Sequence, residues 1–185
     1  MADEVYRSLS LEVAGARNII LEGFMGSGKT TVSEILSDRL GLELMDTDAT
    51  IEDTEGRSIS SIFREDGEEA FRDMETELLT MIAGDHLRDM VISLGGGMPV
   101  REKNRELLKE SGKVVYLKAS PETIYERVKG DTTRPLLQGE DPLLRIKELM
   151  DGRSDVYDEA ADLIIDTDNK TPDEICDEII RELGL

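Results

Sequence analysis

Short apolar segments rich in β-branched residues alternate along this chain with longer segments of helical pattern. The apolar segments predict strands over residues 18–21, 42–46, 90–94, 113–118 and 163–166. The helical patterns cover residues 30–40, ended by Gly41, and 58 to about 83, with a break near Asp66 and Gly67. Strands that alternate with helices predict an α/β fold, with a five-stranded parallel sheet and helices on both of its faces.

Two further helix starts are marked by a capping residue followed by proline. Ser120-Pro121 follows the fourth strand, and Thr171-Pro172 follows the fifth. Ligands of parallel sheets bind beyond the carboxyl ends of the strands. We therefore expect the functional residues in the loops that directly follow strands.

The loop after the first strand reads GFMGSGKT over residues 23–30, which matches the pattern GxxxxGK[ST]. Its glycines allow successive N–H groups to point at phosphate oxygens, and the helix that follows adds its dipole. Lys29 would reach the β- and γ-phosphates, and the hydroxyl of Thr30 would bind Mg²⁺. A chance glycine turn is the alternative, but the strand before the loop and the helix after it favour phosphate binding.

The segment after the second strand carries two carboxylates, Asp46 and Asp48. Aspartate is common at helix N-caps, and Asp48 is open to that interpretation. Alternatively, the pair divides two tasks at the edge of the sheet. Asp46 would hold the water shell of Mg²⁺, and Asp48 would accept a hydrogen bond from an acceptor hydroxyl. The pair by itself leaves both interpretations open.

Composition narrows the class of partner. The 185 residues fit one domain, and 22 Lys+Arg against 42 Asp+Glu give a formal charge of −20. Such a chain repels phosphate backbones, so we expect no nucleic-acid partner. A solvated surface and adaptation to salt both fit this acidity. Any anionic substrate would need cations that the site itself supplies.

Cellular location follows from apolar segments and cysteine content. No apolar run approaches a membrane span, and the N-terminus has Asp3 and Glu4 but no hydrophobic signal core. The single cysteine, Cys176, lies on the apolar stripe of the last helix, where we expect core packing. We expect a cytoplasmic protein with no membrane partner. Residues 1–16 form a lead-in without a motif.

The complete set of motifs resembles the shikimate kinase family. In chain order these are GFMGSGKT, DTD, GRSISSIFREDGEEAFRDME, SLGGG, TTRPLL and GRSDVY, from about residue 19 to the last helix. The first is common to many nucleotide-binding proteins, whereas the combination is specific. The resemblance implies a P-loop kinase fold, with one domain over residues 17–185, a substrate-binding segment at about 47–84 and a lid at about 130–140. It implies ATP-dependent phosphorylation of the 3-hydroxyl of shikimate in aromatic amino-acid biosynthesis, with Mg²⁺, by a monomer.

The resemblance also implies the substrate contacts. Arg72 and Arg153 would hold the substrate carboxylate, because an arginine fork suits a planar carboxylate. Glu75, three residues after Arg72, could orient it, although the residues alone favour a surface ion pair of little energy. Phe63 and Phe71 fit either a pocket wall or the core. The implied substrate-binding residues are Asp48, Arg72, Gly95, Gly96, Gly97 and Arg153, and a flexible turn is the alternative for the three glycines.

On the nucleotide side, Arg134 in the implied lid would neutralise charge on the transferring phosphoryl group, with Gly130 and Gly139 as hinges. Arg127 and Pro172 match positions that face adenine, although a helix-surface arginine and a helix-start proline explain them as well. The implied catalytic residues are Lys29, Asp48 and Arg134. The implied nucleotide-binding residues are Gly26, Ser27, Gly28, Lys29, Thr30, Thr31, Arg127 and Pro172, and the implied metal-binding residues are Thr30 and Asp46.

Three other functions compete with this interpretation. A kinase for gluconate or a nucleoside monophosphate does not explain Arg72, the glycine triplet and Arg153 together. A ligand sensor on the same fold would need a DNA-binding module, for which the lead-in is short and the charge has the wrong sign. A nucleotide-hydrolysing switch would release ADP regardless of shikimate.

Overall fold

The computed structural model describes residues 18–129 and 141–185. The lead-in and the implied lid, including Gly130, Arg134 and Gly139, lie outside the described residues. The domain boundary at residue 17 therefore stays a prediction.

Five parallel strands form one sheet. They are β1 (Asn18–Glu22), β2 (Glu43–Asp46), β3 (Met90–Ser93), β4 (Lys113–Lys118) and β5 (Leu163–Asp166). Their spatial order is β2-β3-β1-β4-β5, so β1 is central and buried along its whole length. Burial on both faces explains why its sequence reads as a continuous apolar run rather than an alternating one. The predicted fold class is confirmed.

Helices connect the strands in the described ranges. They are α1 (Lys29–Leu40), α2 (Thr47–Glu55), α3 (Ile59–Glu65), α4 (Glu68–Met81), α5 (Glu102–Ser111), α6 (Pro121–Val128), α7 (Pro142–Asp151), α8 (Ser154–Ala160) and α9 (Pro172–Leu183). A π-helical turn (Ile82–His86) extends α4, and a 3-10 turn (Met98–Val100) precedes α5. None of these helices combines the length and apolarity needed to cross a bilayer.

Local sequence explains most helix ends. The hydroxyls of Ser120 and Thr171 cap α6 and α9 with proline as the next residue, which confirms both predicted starts. Gly41 ends α1 with a left-handed φ of 66°, as predicted. The predicted break near Gly67 is also confirmed, because α3 ends at Glu65 and α4 begins at Glu68.

Apolar clusters cover both faces of the sheet. On one face, α1 and α9 pack on Ile19 and Leu21, and Cys176 is fully buried there, as predicted. On the other face, α4 and α5 pack on Ile20. A third cluster gathers α6, α7 and α8 around Tyr116. The carboxyl ends of all five strands meet at one edge, where the site lies.

Candidate active site

A cavity of about 430 Å³ lies beyond the carboxyl ends of β1, β2 and β3. Nine residues predicted from the sequence line it, namely Gly26, Gly28, Lys29, Thr30, Thr31, Asp46, Asp48, Gly96 and Arg127. The parallel register explains this convergence, since Asp46 pairs with Ser93 and Leu21 also pairs with Ser93. Loops that follow these three neighbouring strands must therefore meet.

The phosphate-binding loop wraps tightly on itself. Gly26 has a φ of 78°, and a Cβ there would lie 2.6 Å from Val128 on α6, so glycine is needed for both conformation and space. The Lys29 Nζ donates to the carbonyls of Gly23 (2.8 Å) and Phe24 (3.2 Å). These contacts hold the ammonium against the loop, and Lys29 lines the cavity. Ser27 is buried beneath the loop and does not line the cavity.

The two aspartates occupy different environments. Asp46 is the N-cap of α2, and its Oδ1 accepts from the backbone N–H groups of Asp48 (3.0 Å) and Ala49 (3.1 Å). The N-cap interpretation of Asp48 is therefore wrong, because Asp46 takes that position. The Oδ1 of Asp48 is buried and has no hydrogen-bond partner among the described residues.

The pKa of Asp48 depends on its burial and on its charged neighbours. Burial raises the pKa of Asp48, and the neighbouring Asp46 charge raises it further, whereas Lys29 and Arg72 lower it. A carboxylate with a raised pKa accepts a proton more readily than an ordinary surface aspartate. The positive charges of Lys29 and Arg72 therefore both act on the Asp48 carboxyl group.

The glycine triplet brings Asp48 and Arg72 together. A Cβ on Gly95 would overlap Asp48 Oδ1, and a Cβ on Gly97 would overlap the guanidinium of Arg72. Gly95 N–H donates to the Thr47 hydroxyl at 2.9 Å, which fixes the loop to the start of α2. The loop is therefore a packed connection rather than the flexible turn considered as the alternative.

Arg72 is held by two carboxylates. Its Nη1 lies 2.8 and 3.0 Å from the two oxygens of Glu75, and its Nη2 lies 2.8 Å from Glu68 Oε1. The Glu75 side chain is 1% exposed and that of Arg72 14%, so the surface ion pair considered from the sequence is wrong. Burial raises the pKa of Glu75 to about 7, although Arg72 opposes this rise.

Arg153, the residue before α8, and Tyr157 within α8 both approach the glycine triplet. Arg153 Nη1 lies 3.4 Å from the Gly96 carbonyl oxygen, and the Tyr157 hydroxyl donates to the same oxygen. Arg72 and Arg153 thus contact neighbouring residues of one loop. That arrangement places two guanidinium groups beside the glycine loop, where they suit an anionic group.

The adenine-side predictions differ in their placement. Arg127 Nη1 donates to the carbonyl of Ser27 at 3.0 Å, and its Nη2 donates to the carbonyl of Thr167 at 3.0 Å. Arg127 therefore fastens the phosphate-binding loop to the loop after β5, in addition to lining the cavity. Pro172 is exposed at the start of α9 and does not line the cavity.

Of the two phenylalanines considered from the sequence, Phe71 belongs to the core and Phe63 is 40% exposed. Phe71 is 3% exposed in the core, and its ring meets that of Phe63 edge-on at 5.1 Å. Neither ring lines the cavity. The Arg72 guanidinium carbon lies 5.5 Å from the centre of the Phe71 ring, so this core residue makes a cation–π contact with the arginine.

Comparison with known proteins decides the family. The family model for shikimate kinase matches residues 25–184. The chain belongs to the shikimate kinase family. A shikimate kinase from Thermodesulfovibrio yellowstonii is 45% identical over 166 residues, which are 90% of this chain and 94% of that protein. A second, from Persephonella marina, is 43% identical over 167 residues, covering 90% and 99% of the two chains.

A solved structure of a family member agrees with this result. The shikimate kinase from Acinetobacter baumannii, in complex with shikimate, aligns with a TM-score of 0.84 at 36% identity. The alignment covers 95% of this chain and 97% of that one. The resemblance deduced from the motifs is confirmed, together with the P-loop kinase fold of the family.

Sequence reasoning missed several residues of this site. Met25, Ser93 and Leu94 also line the cavity. Thr47 lies inside the motif DTD, but only the fold shows that its hydroxyl receives the Gly95 N–H. Tyr157 lies four residues after Arg153 in the motif GRSDVY, and this spacing across the start of α8 could have revealed it.

The side chains that could bind a metal ion do not form a cluster. Among the side chains that the structure describes, no group of three or more from His, Cys, Asp or Glu is arranged to hold a metal ion. Thr30 and Asp46 both line the cavity and offer oxygen atoms. Mg²⁺ prefers oxygen ligands and keeps several waters, so a site of few protein ligands completed by phosphates suits it.

Proposed function

We propose that this chain transfers the γ-phosphoryl group of ATP to the 3-hydroxyl of shikimate, giving ADP and shikimate 3-phosphate for aromatic amino-acid biosynthesis. One observation carries the proposal. The glycine triplet packs against both Asp48 and Arg72, and Asp48 lines the same cavity as Lys29. A group that can accept a proton from a hydroxyl and a group that can hold a carboxylate therefore lie on one loop next to the phosphate-binding cavity. A nucleotide switch needs no such arrangement.

Binding of ATP is assigned to the phosphate-binding loop. Gly26, Gly28 and Thr31 line the cavity where the phosphates would lie, with the N-terminus of α1 pointing into it. Lys29 would move its ammonium from the loop carbonyls to the β- and γ-phosphates. Arg127 would face the adenine from its place between the two loops.

Shikimate is assigned to the opposite side of Asp48. Arg72 and Arg153 would hold its carboxylate, with N–H groups of the glycine triplet beside it. Glu75 and Glu68 fix the Arg72 guanidinium in advance, which lowers the entropy lost on binding. The formal charge of −20 makes these local cations necessary for an anionic substrate.

In the reaction, the bond between the γ-phosphorus and the β,γ-bridging oxygen breaks as the 3-hydroxyl oxygen bonds to phosphorus. Asp48 accepts the hydroxyl proton, and its raised pKa suits that task. Lys29 stabilises the charge on the phosphoryl oxygens. Thr30 would hold Mg²⁺ directly and Asp46 would hold it through water, and the ion would neutralise further phosphate charge. From the family resemblance, Arg134 would contribute there as well.

One assay tests the proposal against its rivals. ADP release is measured by a coupled assay with shikimate, gluconate, nucleoside monophosphates or no acceptor. We expect release with shikimate alone. Equal release without any acceptor would indicate a hydrolysing switch, and release with another acceptor would indicate a different kinase.

A further inference from the structure

Glu22 is a buried carboxyl group at the base of the phosphate-binding loop, with no role in the mechanism above. It ends β1 and directly precedes Gly23. Its exposure is 0%, and neither carboxyl oxygen has a hydrogen-bond partner among the described residues. An unpaired charge in such surroundings is costly, so the carboxyl group favours its neutral form.

Groups on three neighbouring elements set the charge of Glu22. Burial raises its pKa to about 8, Lys29 on α1 opposes the rise, and Asp158 on α8 adds to it. Tyr116 on β4 pairs with Glu22 in register, and Tyr157 packs on Tyr116 with ring centres 5.1 Å apart. The pKa of each phenol is raised chiefly by burial, so both phenols stay neutral where Glu22 titrates.

Lys118 on β4 completes this environment. Its Nζ lies 3.1 Å from Asp158 Oδ1 and 5.7 Å from the centre of the Tyr116 ring. Lys118 therefore forms an ion pair with Asp158, and both side chains are partly exposed. Glu22 itself is fully buried, and Lys29 is the cation whose charge lowers its pKa.

The link to nucleotide runs through Lys29. Its ammonium donates to the carbonyls of Gly23 and Phe24, the two residues that follow Glu22. An ionised Glu22 would therefore compete with phosphate for the same positive charge, and it would also repel the phosphates. A neutral Glu22 does neither.

We propose that Glu22 is a positioning residue for nucleotide binding, which acts through Lys29. When the Glu22 carboxyl group is protonated, Lys29 interacts with the phosphates alone. When Glu22 is ionised, it attracts the Lys29 ammonium and weakens nucleotide binding. The inference rests on the proposed binding of ATP. Coupling between two sites is reciprocal, so nucleotide in turn favours the protonated form of Glu22, and binding at pH 8 to 9 takes up a proton.

Calorimetric titration of the full chain with ADP in excess Mg²⁺, from pH 7 to 9.5, tests this. Two buffers of different ionisation enthalpy report the protons taken up. The phosphates of ADP have lost their protons over most of this range. In the wild type, we expect affinity for ADP to fall on the order of tenfold as pH rises, since one unit of pKa shift corresponds to tenfold in affinity. Proton uptake should peak near pH 8 to 9.

Glu22→Gln keeps the shape of the side chain without the titration. This variant should bind ADP with nearly constant affinity over the whole range and without proton uptake in the window near pH 8. Glu22→Met should behave in the same way, which provides a second neutral variant if glutamine disturbs the interior. Asp158→Asn removes a charge that favours protonation, so it should move the fall in affinity to lower pH.

The outcomes separate this inference from the proposed function. Constant wild-type affinity across the range, or an unchanged pH dependence in Glu22→Gln, would overturn the role of Glu22 and leave ATP binding intact. Absence of ADP binding at every pH would overturn both. If neither neutral variant folds, wild-type proton uptake and its displacement in Asp158→Asn decide the question.

Discussion

At the scale of single residues, the proposed phosphate binding depends most on Lys29. Replacement by alanine or methionine should leave the fold intact, because the ammonium contacts loop carbonyls and not the apolar core. Loss of one electrostatic donor costs about 10²- to 10³-fold in kcat, and we expect at least that much here. Near-normal turnover in Lys29→Ala, with unchanged circular dichroism, would contradict the assignment.

The two aspartates can be separated by matched substitutions. Asparagine is as good an N-cap as aspartate, so Asp46→Asn keeps the start of α2 and removes only the charge. We expect it to weaken Mg²⁺ by about 10- to 100-fold, as loss of an outer ligand does. Asp48→Asn should instead lower kcat by about 10²- to 10⁴-fold while ATP still binds.

Titration of turnover against Mg²⁺ for both variants is the measurement for this pair. A displaced curve for Asp46→Asn and a curve of normal midpoint but low maximum for Asp48→Asn are expected. Identical metal curves for wild type and Asp46→Asn would contradict the division of labour.

The proposed carboxylate clamp of Arg72 and Arg153 is the feature on which substrate identity rests. Lysine lacks the planar fork, so Arg72→Lys and Arg153→Lys should each weaken shikimate and leave ATP almost unchanged. A hydrogen bond to a charged group contributes roughly 1.5–3 kcal/mol, so each change should cost about ten- to a hundredfold in kcat/KM.

An amide analogue of shikimate provides the control for the clamp. Both lysine variants should discriminate less between the acid and the amide than the wild type does. The comparison requires kcat/KM for each compound in all three proteins. Equal use of acid and amide by the wild type would exclude a carboxylate clamp and leave only a P-loop kinase.

At the scale of elements, the glycine triplet positions two functional side chains by close packing. Gly95→Ala would push on Asp48, and Gly97→Ala would push on the Arg72 guanidinium. We expect Gly95→Ala mainly to lower kcat and Gly97→Ala mainly to raise the KM for shikimate, because a misplacement of about 1 Å can cost about 10²-fold.

Gly152→Ala is the matched control for the triplet. A Cβ there meets its nearest atom at 3.7 Å, and its φ of −75° suits alanine. Its kinetics should match those of the wild type. If Gly95→Ala and Gly97→Ala also behave as wild type, the loop does not position Asp48 and Arg72.

At the scale of the whole molecule, buried carboxyl groups predict how stability depends on pH. Glu22 has a pKa of about 8 in the fold against an ordinary 4.5, and Glu75 has one of about 7. Between the ordinary pKa of 4.5 and these raised values, the folded chain keeps protons that the unfolded chain releases. The free energy of unfolding therefore falls as pH rises from about 5 to 8. Each group contributes at most about 1.4 kcal/mol per pH unit.

Urea unfolding at pH 6, 7 and 8 checks this expectation. The wild type should lose stability across the series, and Glu22→Gln should lose less and exceed the wild type at pH 8. Stability that rises steadily to pH 8 would show that Glu22 is ionised or solvated in the fold.

Much of this protein is determined by its sequence because the signals are local. The five strands follow from short apolar segments. The caps at Ser120 and Thr171, the end of α1 at Gly41 and the break at Gly67 follow from the backbone preferences of those residues. The phosphate-binding loop is likewise one continuous segment between a strand and a helix. Helix α8, by contrast, has no strong capping signal. The position of Tyr157 in the site is visible only from its contact with Gly96 in the folded chain.

The tertiary structure decided which environment each functional residue occupies. Glu75 reads as a surface partner of Arg72 at helical spacing, yet packing against the core buries it and moves its pKa toward neutrality. Asp46 and Asp48 are alike in sequence, but the start of α2 uses one as a cap and leaves the other beneath Gly95. Burial and contact between distant segments set charge and orientation, and periodicity along the chain carries no information about either.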